Sequence, residues 1–196
     1  MLFKSFFTVA AAAVSLASAE TCTTQKRIEG SRQVAVAYNA VGLGASAEEF
    51  QLVPWGSPDS AGSCLVTIIP NGLGCGIPVA TTGAGTTQFA IETRQVFNKL
   101  EITEIIPFSN GTVLLSVDIR LGLREILPLP ATFHAWVYMD FNVDCRIYSA
   151  RAYADVPTSI LTFITAQQIN IPNGGLYPIC SNLPVGGQKR AINFEA

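Results

Sequence analysis

A strict alternation of apolar and polar residues constrains the fold of this chain more than any other feature of its sequence. In VLLSVDIRLGLR, residues 113–124, one face of an extended strand would carry only apolar side chains: Val113, Leu115, Val117, Ile119, Leu121 and Leu123. The opposite face would carry Leu114, Ser116, Asp118, Arg120 and Arg124. Because successive side chains of a β-strand point to opposite faces, this period of two predicts a strand with one buried face.

An Asn-Gly pair just before this strand predicts how the strand is connected. Asn110 and Gly111 tolerate the positive φ angles of a tight type I′ turn, so a β-hairpin is expected there. Asn110 also begins the only Asn-X-Ser/Thr sequence of the chain. In a secreted protein Asn110 is therefore a candidate glycosylation site at a hairpin tip.

Turn-forming residues recur along the rest of the chain and divide it into short β-rich runs, a spacing typical of antiparallel sandwiches and barrels. We therefore predict an all-β fold, an antiparallel β-sandwich of jelly-roll or Greek-key type with about nine strands, with a closed β-barrel as the alternative. The predicted strands cover residues 34–41, 50–53, 64–69, 89–97, 100–106, 113–123, 132–141, 145–153 and 160–171. At most one short helix is expected, over residues 45–53, with Ser46 as its N-cap and Pro54 at its end.

The N-terminus has the pattern of a secretory signal peptide. Residues 1–19 contain one lysine and an apolar run, and they end in Ala17-Ser18-Ala19, so cleavage is expected before Glu20. No later segment has the uninterrupted apolar length that a membrane-spanning helix needs. The mature protein is expected to be secreted and extracellular, with no membrane span.

Two Lys-Arg pairs lie near the ends of the chain, Lys26-Arg27 and Lys189-Arg190. Adjacent basic residues in small polar surroundings suit the acidic subsites of kexin- and furin-type processing proteases, and ordinary charged segments are the alternative. The predicted organisation is a pro-segment over residues 20–27, a single β-sandwich domain over residues 28–188, and a tail over residues 189–196 that a second cut would remove.

The five cysteines are disulfide candidates, because a secreted chain folds in an oxidising compartment. Cleavage after Arg27 would remove Cys22, which is thus predicted to be unpaired or part of the pro-segment. An even set would remain, Cys64, Cys75, Cys145 and Cys180, and it allows three pairings. The sequential pairing, Cys64 with Cys75 and Cys145 with Cys180, is the preferred one.

Composition and motif content exclude several classes of function. With 13% charged residues and a net charge of -2, the chain is not expected to bind nucleic acid. Residues 42–47, GLGASA, fit a dinucleotide-binding pattern, but the chain lacks the alternation of strands and helices that such a site needs, so no cofactor is expected. His134 is the only histidine and no Gly-X-Ser-X-Gly motif is present, so neither a metal site nor a catalytic residue is predicted.

The segment ATFHAWVYMDF, residues 131–141, supplies a candidate binding surface. In a regular strand the core face would carry Phe133, Ala135, Val137, Met139 and Phe141, and the opposite face would carry Thr132, His134, Trp136, Tyr138 and Asp140. Tryptophan and tyrosine rings stack on the apolar faces of sugars while Asp and His bind hydroxyls, and such a face also suits a protein partner. The alternative is that Trp136 packs beneath a second sheet.

The sequence thus predicts a secreted, disulfide-stabilised, non-enzymatic β-sandwich that binds an extracellular glycan or a host protein through His134, Trp136, Tyr138 and Asp140. One alternative is a glycan-active hydrolase with an acidic pair, either Glu101 with Glu104, expected on opposite sides of their strand, or Asp140 with Asp144. Another is a secreted toxin or effector matured by dibasic cleavage. In its signal peptide, dibasic site and low charge content, the chain is similar to small secreted proteins of fungi.

Overall fold

The computed structural model describes residues 22–42, 44–56, 62–70 and 76–155. In chain order its elements are α1 (Thr24–Asn39), α2 (Ala45–Leu52), β1 (Ser63–Pro70), β2 (Ile77–Thr82), α3 (Gly83–Arg94), β3 (Phe97–Pro107), β4 (Thr112–Leu123), β5 (Leu127–Phe141) and β6 (Ile147–Ala154). The strands form one sheet in the order β2-β1-β6-β5-β4-β3. Strands β1 and β6 are parallel, and the other neighbours are antiparallel.

The prediction of an all-β sandwich or closed barrel is wrong, because this is a mixed α/β fold with an open sheet. Strands β2 and β3 form the two edges of the sheet, and the helices pack against one of its faces, here called the inner face. Residues 34–41, 50–53 and 89–97, which we predicted as strands, lie largely in α1, α2 and α3. Strands were predicted correctly at β1, β3, β4, β5 and β6, and residues 160–171 lie outside the described ranges.

The helices α1 and α3 form because each has a capped N-terminus and a buried helical face. Thr23 caps α1 by accepting a hydrogen bond from the Lys26 amide, and Thr82 caps α3 by accepting one from the Gly85 amide. Helix α3 buries Thr86, Phe89, Ala90 and Thr93, spaced as one side of a helix. Helix α1 buries Ser31, Val34, Ala35 and Ala37.

The predicted short helix exists as α2, but its cap is different from the predicted one. Gly44, with a φ of 82°, is the N-cap residue. Ser46 instead lies inside the helix, where its hydroxyl donates to the Ala37 carbonyl at 2.9 Å. The hydroxyl also accepts a hydrogen bond from Arg94, whose buried guanidinium donates to the Phe97 carbonyl as well. Ser46 therefore connects α2 to α1 and α3 through hydrogen bonds instead of capping the N-terminus of α2.

Strand β4 confirms the apolar face predicted from the alternation, but its other face is also partly buried, since Leu114 is 7% and Ser116 4% exposed. Val113, Leu115, Val117, Ile119 and Leu121 are all buried on the inner face. Leu123 is the exception at 55% exposure, because it follows an irregularity in the pairing of β4 with β5 between Arg120 and Gly122. The inner face of β4 thus forms a continuous part of the core.

The predicted hairpin before β4 is confirmed, although the predicted turn type is wrong. Residues 108–111 connect β3 to β4, and the Phe108 amide donates to the Thr112 carbonyl at 2.8 Å. Gly111 has a φ of 95°, whereas Asn110 is not among the residues with positive φ. The connection is therefore longer than a two-residue type I′ turn.

A disulfide joins Cys22 to Cys145, with 4.9 Å between their Cα atoms. It corrects two predictions, because Cys22 is paired and Cys145 is bonded to it instead of to Cys180. Cys64 is a buried free thiol, not part of a Cys64–Cys75 bridge, and burial raises the pKa of this thiol. Cys75 and Cys180 lie outside the described residues.

The bond forms because α1 crosses the inner face of the sheet. Gly30 lets α1 approach the start of the β5–β6 connection, since a Cβ atom there would lie 3.2 Å from the Phe141 ring. The N-terminus of α1 therefore reaches Cys145 in that connection. Among the helices of the described ranges, none combines the length and the apolar character needed to cross a membrane.

Candidate functional site

A cavity of about 130 Å³ lies between the inner face of the sheet and the helices. Strand β6 contributes only methyl groups to its lining, from Ala150, Ala152 and Ala154, and β5 contributes a fourth through Ala135. Strand β5 also contributes the larger side chains of Phe133, Val137 and Met139, and the neighbouring strands contribute further large apolar side chains. The space is consistent with the short side chains of Ala135 and of the three β6 alanines, which leave room below the helices.

The hydroxyl groups at this cavity are hydrogen bonded within the protein. The Tyr38 hydroxyl and the Thr93 hydroxyl are 2.9 Å apart, and Thr93 donates onward to the Phe89 carbonyl at 3.0 Å. Thr86 donates to the Thr82 carbonyl at 2.9 Å. Burial raises the pKa of Tyr38 to about 12, so its phenol is neutral over the physiological range.

The indole of Trp55 differs from these hydroxyl groups in its hydrogen bonding. Trp55 lines the cavity and is 8% exposed, and its Nε1 is buried without a hydrogen-bond partner in the described part of the chain. Among the described lining residues there is no carboxylate and no imidazole. The cavity can therefore receive an uncharged, mainly apolar molecule, whereas an ion would lose its hydration without compensation.

The other face of the sheet, here called the outer face, carries the side chains predicted to bind a ligand. The inner-face residues Phe133, Ala135, Met139 and Phe141 are buried, as the alternation predicts. Trp136 is 41% exposed, so it does not pack beneath a second sheet. The predicted division of β5 into two faces is thus confirmed, while the ligand of the outer face stays a prediction.

The predicted ligand-binding residues contact one another and their neighbours on the outer face. The His134 and Trp136 rings meet edge to face, with 4.4 Å between their centroids. Tyr138 stacks on Phe108 at 6.4 Å between centroids and contacts Tyr153 at 5.7 Å. These residues form two aromatic groups on the outer face, one of His134 and Trp136 and one of Tyr138, Phe108 and Tyr153.

Asp140, the fourth predicted ligand-binding residue, is already paired. Its carboxylate lies 3.0 Å from the Arg151 guanidinium and accepts a hydrogen bond from the Thr112 hydroxyl at 2.7 Å. The Arg151 guanidinium also lies 6.0 Å from the centre of the Tyr138 ring. Asp140 is therefore less available to a sugar hydroxyl than the sequence indicates.

Sequence reasoning missed a chain of hydrogen bonds that orients His134. His134 Nδ1 lies 2.6 Å from an Asp118 oxygen, and His134 Nε2 lies 2.9 Å from the Ser116 hydroxyl. Thr103 donates to the same hydroxyl at 2.8 Å, which leaves the Ser116 proton for Nε2. The alternation already places Ser116 and Asp118 on the outer face, but only the strand register brings them beside His134.

This order of contacts is that of a Ser-His-Asp triad, but the exposure of its members is reversed. Ser116 is 4% exposed, whereas the Asp118 side chain is 47% exposed. In a working triad the serine must reach the substrate and the aspartate is buried behind the histidine. The arrangement therefore fits a network that holds the imidazole in one orientation.

The candidate acidic pairs do not form an evident catalytic site. An irregularity between Ile102 and Glu104 pairs Glu101 with Asp118 and Glu104 with Ser116, so both glutamates face outward, contrary to the prediction that they face opposite sides. Asp144 lies in the connection between β5 and β6. Among the described residues no group of three or more His, Cys, Asp or Glu side chains is arranged to hold a metal ion.

The remaining predicted sites are on the surface or outside the described ranges. Asn110 is exposed at the β3–β4 connection, where its side-chain oxygen accepts a hydrogen bond from the Thr112 amide at 3.1 Å. Lys26 and Arg27 lie in the first turns of α1, and Arg27 donates to the Phe108 carbonyl at 3.5 Å. Lys189 and Arg190 are not described. Glycosylation and processing stay predictions.

Comparisons with known proteins show the fold alone. The sequence matches no protein-family model and no curated protein. A de novo designed protein with a curved β-sheet is similar to 74% of this chain and 99% of its own, with a TM-score of 0.52 and 10% identity.

Two natural proteins are similar at lower TM-scores. A steroid delta-isomerase from Pseudomonas aeruginosa has a TM-score of 0.46 and 13% identity over 80% of this chain and 93% of its own. An NTF2-like protein of unknown function from Burkholderia pseudomallei has a TM-score of 0.46 and 14% identity over 74% and 98%. At these scores neither similarity carries an argument about what this chain does.

Proposed function

We propose that the protein binds a small, uncharged, mainly apolar molecule in the cavity between α1, α3 and the sheet. The observation that carries this proposal is the unfilled apolar volume of about 130 Å³ beside Ala135, Ala150, Ala152 and Ala154. An apolar cavity of about 150 Å³ is large enough to hold benzene. The ligand is therefore expected to be of similar size to a single six-membered ring.

Binding fits the cavity better than catalysis does. General acid–base catalysis is most effective when the pKa of the catalytic group lies near the working pH. Tyr38 is the titratable side chain that lines the cavity in the described part of the chain, and burial raises its pKa to about 12. The cavity thus offers apolar contact and hydrogen bonding without a group ready to transfer a proton near neutral pH.

The test is a calorimetric titration of the full chain with benzene and methylcyclohexane. Ala135→Leu places extra carbon atoms in the cavity, so we expect it to weaken binding at least about tenfold while the chain stays folded. Trp136→Ala, one residue away on the outer face, is the matched control and should leave binding unchanged. Absence of binding to the wild-type chain, or equal binding by Ala135→Leu, would contradict the proposal.

A second candidate function belongs to the outer face. Trp136 is 41% exposed, and its neighbour His134 is held by Asp118 and Ser116, which supports binding of an extracellular glycan or a host protein there. Glycan arrays and pull-downs would compare the wild type with Trp136→Ala plus Tyr138→Ala, with Ala135→Leu as the inner-face control. Binding that survives the outer-face double change would remove this candidate.

The geometry favours neither of the other sequence-based functions. A glycan-active hydrolase that uses Asp140 would need a carboxylate that Arg151 and Thr112 already engage. Loss of polysaccharide turnover on one Asp or Glu change, with folding retained, would support the hydrolase. The toxin or effector depends on trimming, and cell killing confined to the trimmed form would support it.

We propose that the protein acts outside the cell after loss of residues 1–19, and the Cys22–Cys145 disulfide fits a secreted protein. The bond changes what a cut after Arg27 would produce. Residues 20–27 would remain attached through Cys22, and they would separate only on reduction. Intact masses with and without reduction test both steps, since a product that retains residues 1–19 contradicts secretion and one that does not lose residues 20–27 on reduction contradicts the cut.

A further inference from the structure

The Lys26-Arg27 pair lies at the start of a helix, which is not the conformation in which a processing protease binds its substrate. Thr23 caps α1 by accepting a hydrogen bond from the Lys26 amide, and the Arg27 amide donates to the Thr23 carbonyl at 3.1 Å. The residues on both sides of the Arg27–Ile28 bond are helical. Because proteases cleave exposed or transiently opened chain, this bond is available only when the first turns of α1 unwind.

Both groups of Arg27 that a processing protease uses are already engaged. Its guanidinium donates to the Phe108 carbonyl at 3.5 Å and to the Thr24 hydroxyl at 3.0 Å, and its Nε is buried. Its carbonyl, the group that hydrolysis attacks, accepts a hydrogen bond at 2.9 Å from the hydroxyl of Ser31, which is fully buried. Cleavage after Arg27 therefore requires these contacts to be broken.

The Cys22–Cys145 disulfide holds the chain just before this helix. Cys145 lies in the β5–β6 connection, where its amide donates to the Asn142 carbonyl at 3.1 Å. The Asn142 side chain in turn accepts a hydrogen bond from the Arg146 amide at 2.9 Å. The disulfide therefore attaches the N-terminal end of α1 to a hydrogen-bonded turn of the sheet.

The other end of the same segment is held by packing. Gly30 lies against the Phe141 ring, where a Cβ atom would be 3.2 Å away, and Ser31 is fully buried. An extended chain rises about 3.3 Å per residue and a helix about 1.5 Å, so a straight extended segment is about twice as long. With both ends held at the helical spacing, residues 23–29 cannot be drawn out straight into the cleft of a protease.

We propose that the Cys22–Cys145 disulfide protects the Arg27–Ile28 bond of the folded protein, and that reduction of the disulfide makes this bond a site for kexin-type cleavage. A dithiol reductant supplies two electrons and two protons, which give the Cys22 and Cys145 thiols, and the reductant itself becomes a cyclic disulfide. The protease then adds one water molecule across the Arg27–Ile28 peptide bond. Lys26-Arg27 is thus a redox-controlled processing site, and this inference does not depend on the cavity.

The test measures by mass spectrometry how fast a kexin-type protease converts the full chain into a product that begins at Ile28. Cys22→Ser and Cys145→Ser each remove the disulfide without exposing the protease to a reductant. We expect either variant to be cut after Arg27 at least about tenfold faster than the wild type, because loss of the tether raises the population of the unwound segment. All samples are reduced after digestion has been stopped, so that a tethered peptide is also detected.

The matched control is Cys64→Ser. Cys64 is a free thiol, so this change removes a cysteine without removing the disulfide. Cys64→Ser should therefore be cut after Arg27 at the wild-type rate.

Hydrogen exchange separates local opening of α1 from general unfolding. On reduction of the wild-type chain, the Lys26 and Arg27 amides should exchange faster, while the amides of β4 should keep their protection. Equal cleavage of the wild type and Cys22→Ser, no cleavage of either, or equal acceleration by Cys64→Ser would each overturn the proposal. Loss of protection throughout β4 on reduction would also overturn it, and this measurement decides the outcome even if Cys64→Ser does not fold.

Discussion

Strands β4 and β5 supply side chains to both the inner and the outer face of the sheet, but the side chains on the two faces make different contacts. On the inner face, Leu115, Val117 and Ala135 border a volume that the described residues leave unfilled. On the outer face, Ser116 and His134 belong to a chain of hydrogen bonds that needs no further partner. Unmet contacts, more than exposure, are therefore our reason for proposing that a ligand binds at the inner face.

The difference follows from the residue types that the alternation sends to each face. Polar side chains on the outer face bond to one another across neighbouring strands, as the Asp140 carboxylate does with Arg151 and Thr112. Apolar side chains on the inner face have no such directional partners, so a run of alanines opposite the helices leaves space. Substitutions on each face test whether the two faces differ as much in energy as in contacts.

The largest expected effect belongs to Leu115→Ala on the inner face. Leu115 is 1% exposed and borders the cavity, so the change enlarges a space that is already unfilled. We expect the free energy of unfolding to fall by about 2–5 kcal/mol, measured by urea denaturation. A loss below about 1 kcal/mol would show that the inner face is not the packed core described above.

The next largest expected effect is a loss of stability at high pH, which follows from the titration of Tyr38. Burial raises its pKa from 10.0 to about 12, so the folded protein holds the phenol proton more tightly than the unfolded chain does. The resulting stabilisation is fully present below pH 10 and is lost as the pH rises towards and through 12. The expected loss is at most about 3 kcal/mol.

The matched control for this pH effect is Tyr38→Phe, which removes the titrating group and keeps the ring. Urea denaturation of both proteins between pH 9 and pH 12 should show a steeper fall in stability for the wild type. Equal slopes would mean that the Tyr38 hydroxyl titrates normally and is not enclosed with Thr93.

Much of the sheet could be predicted from sequence, and the helices show why the rest could not. The alternation in β4 arises from large apolar residues such as Leu115 and Val117, so it predicts directly which side chains are buried in the core. In VAVAYNAV, residues 34–41, the same period involves alanine, which fits either face of a strand or a helix. Helix α3 carried a readable signal, Thr82 as N-cap followed by Phe89 and Thr93, but Gly83 and Gly85 indicated a loop instead.

The site was predictable only in part, because it depends on contacts between distant residues. The alternation correctly placed His134 and Trp136 on the outer face. It did not predict that Ser116 bonds His134, since that contact needs the register of β4 against β5. The disulfide spans 123 residues and follows from the path of α1, which spacing alone does not reveal. The cavity depends on helices that the sequence did not predict.

A smaller effect is expected for Ser116→Ala on the outer face. The change removes a hydroxyl that bonds both Thr103 and His134, so we expect a loss of about 1–2 kcal/mol in the free energy of unfolding. Because Ser116 is 4% exposed, a fluorophosphonate probe for reactive serines should not label the wild-type chain. Labelling that disappears in Ser116→Ala would instead identify a nucleophile.

The smallest effect is expected for Trp136→Ala. Trp136 is 41% exposed, and its described ring contact is the edge of His134 at 4.4 Å, so we expect a loss of less than about 1 kcal/mol by urea denaturation. The inner-face control is Phe133→Ala on the same strand, which should cost about 3–5 kcal/mol because Phe133 is buried. A cost of more than about 2 kcal/mol for Trp136→Ala would mean that another part of the protein covers the outer face. The contrast between an inner face with an unfilled cavity and an exposed outer face would then have to be abandoned.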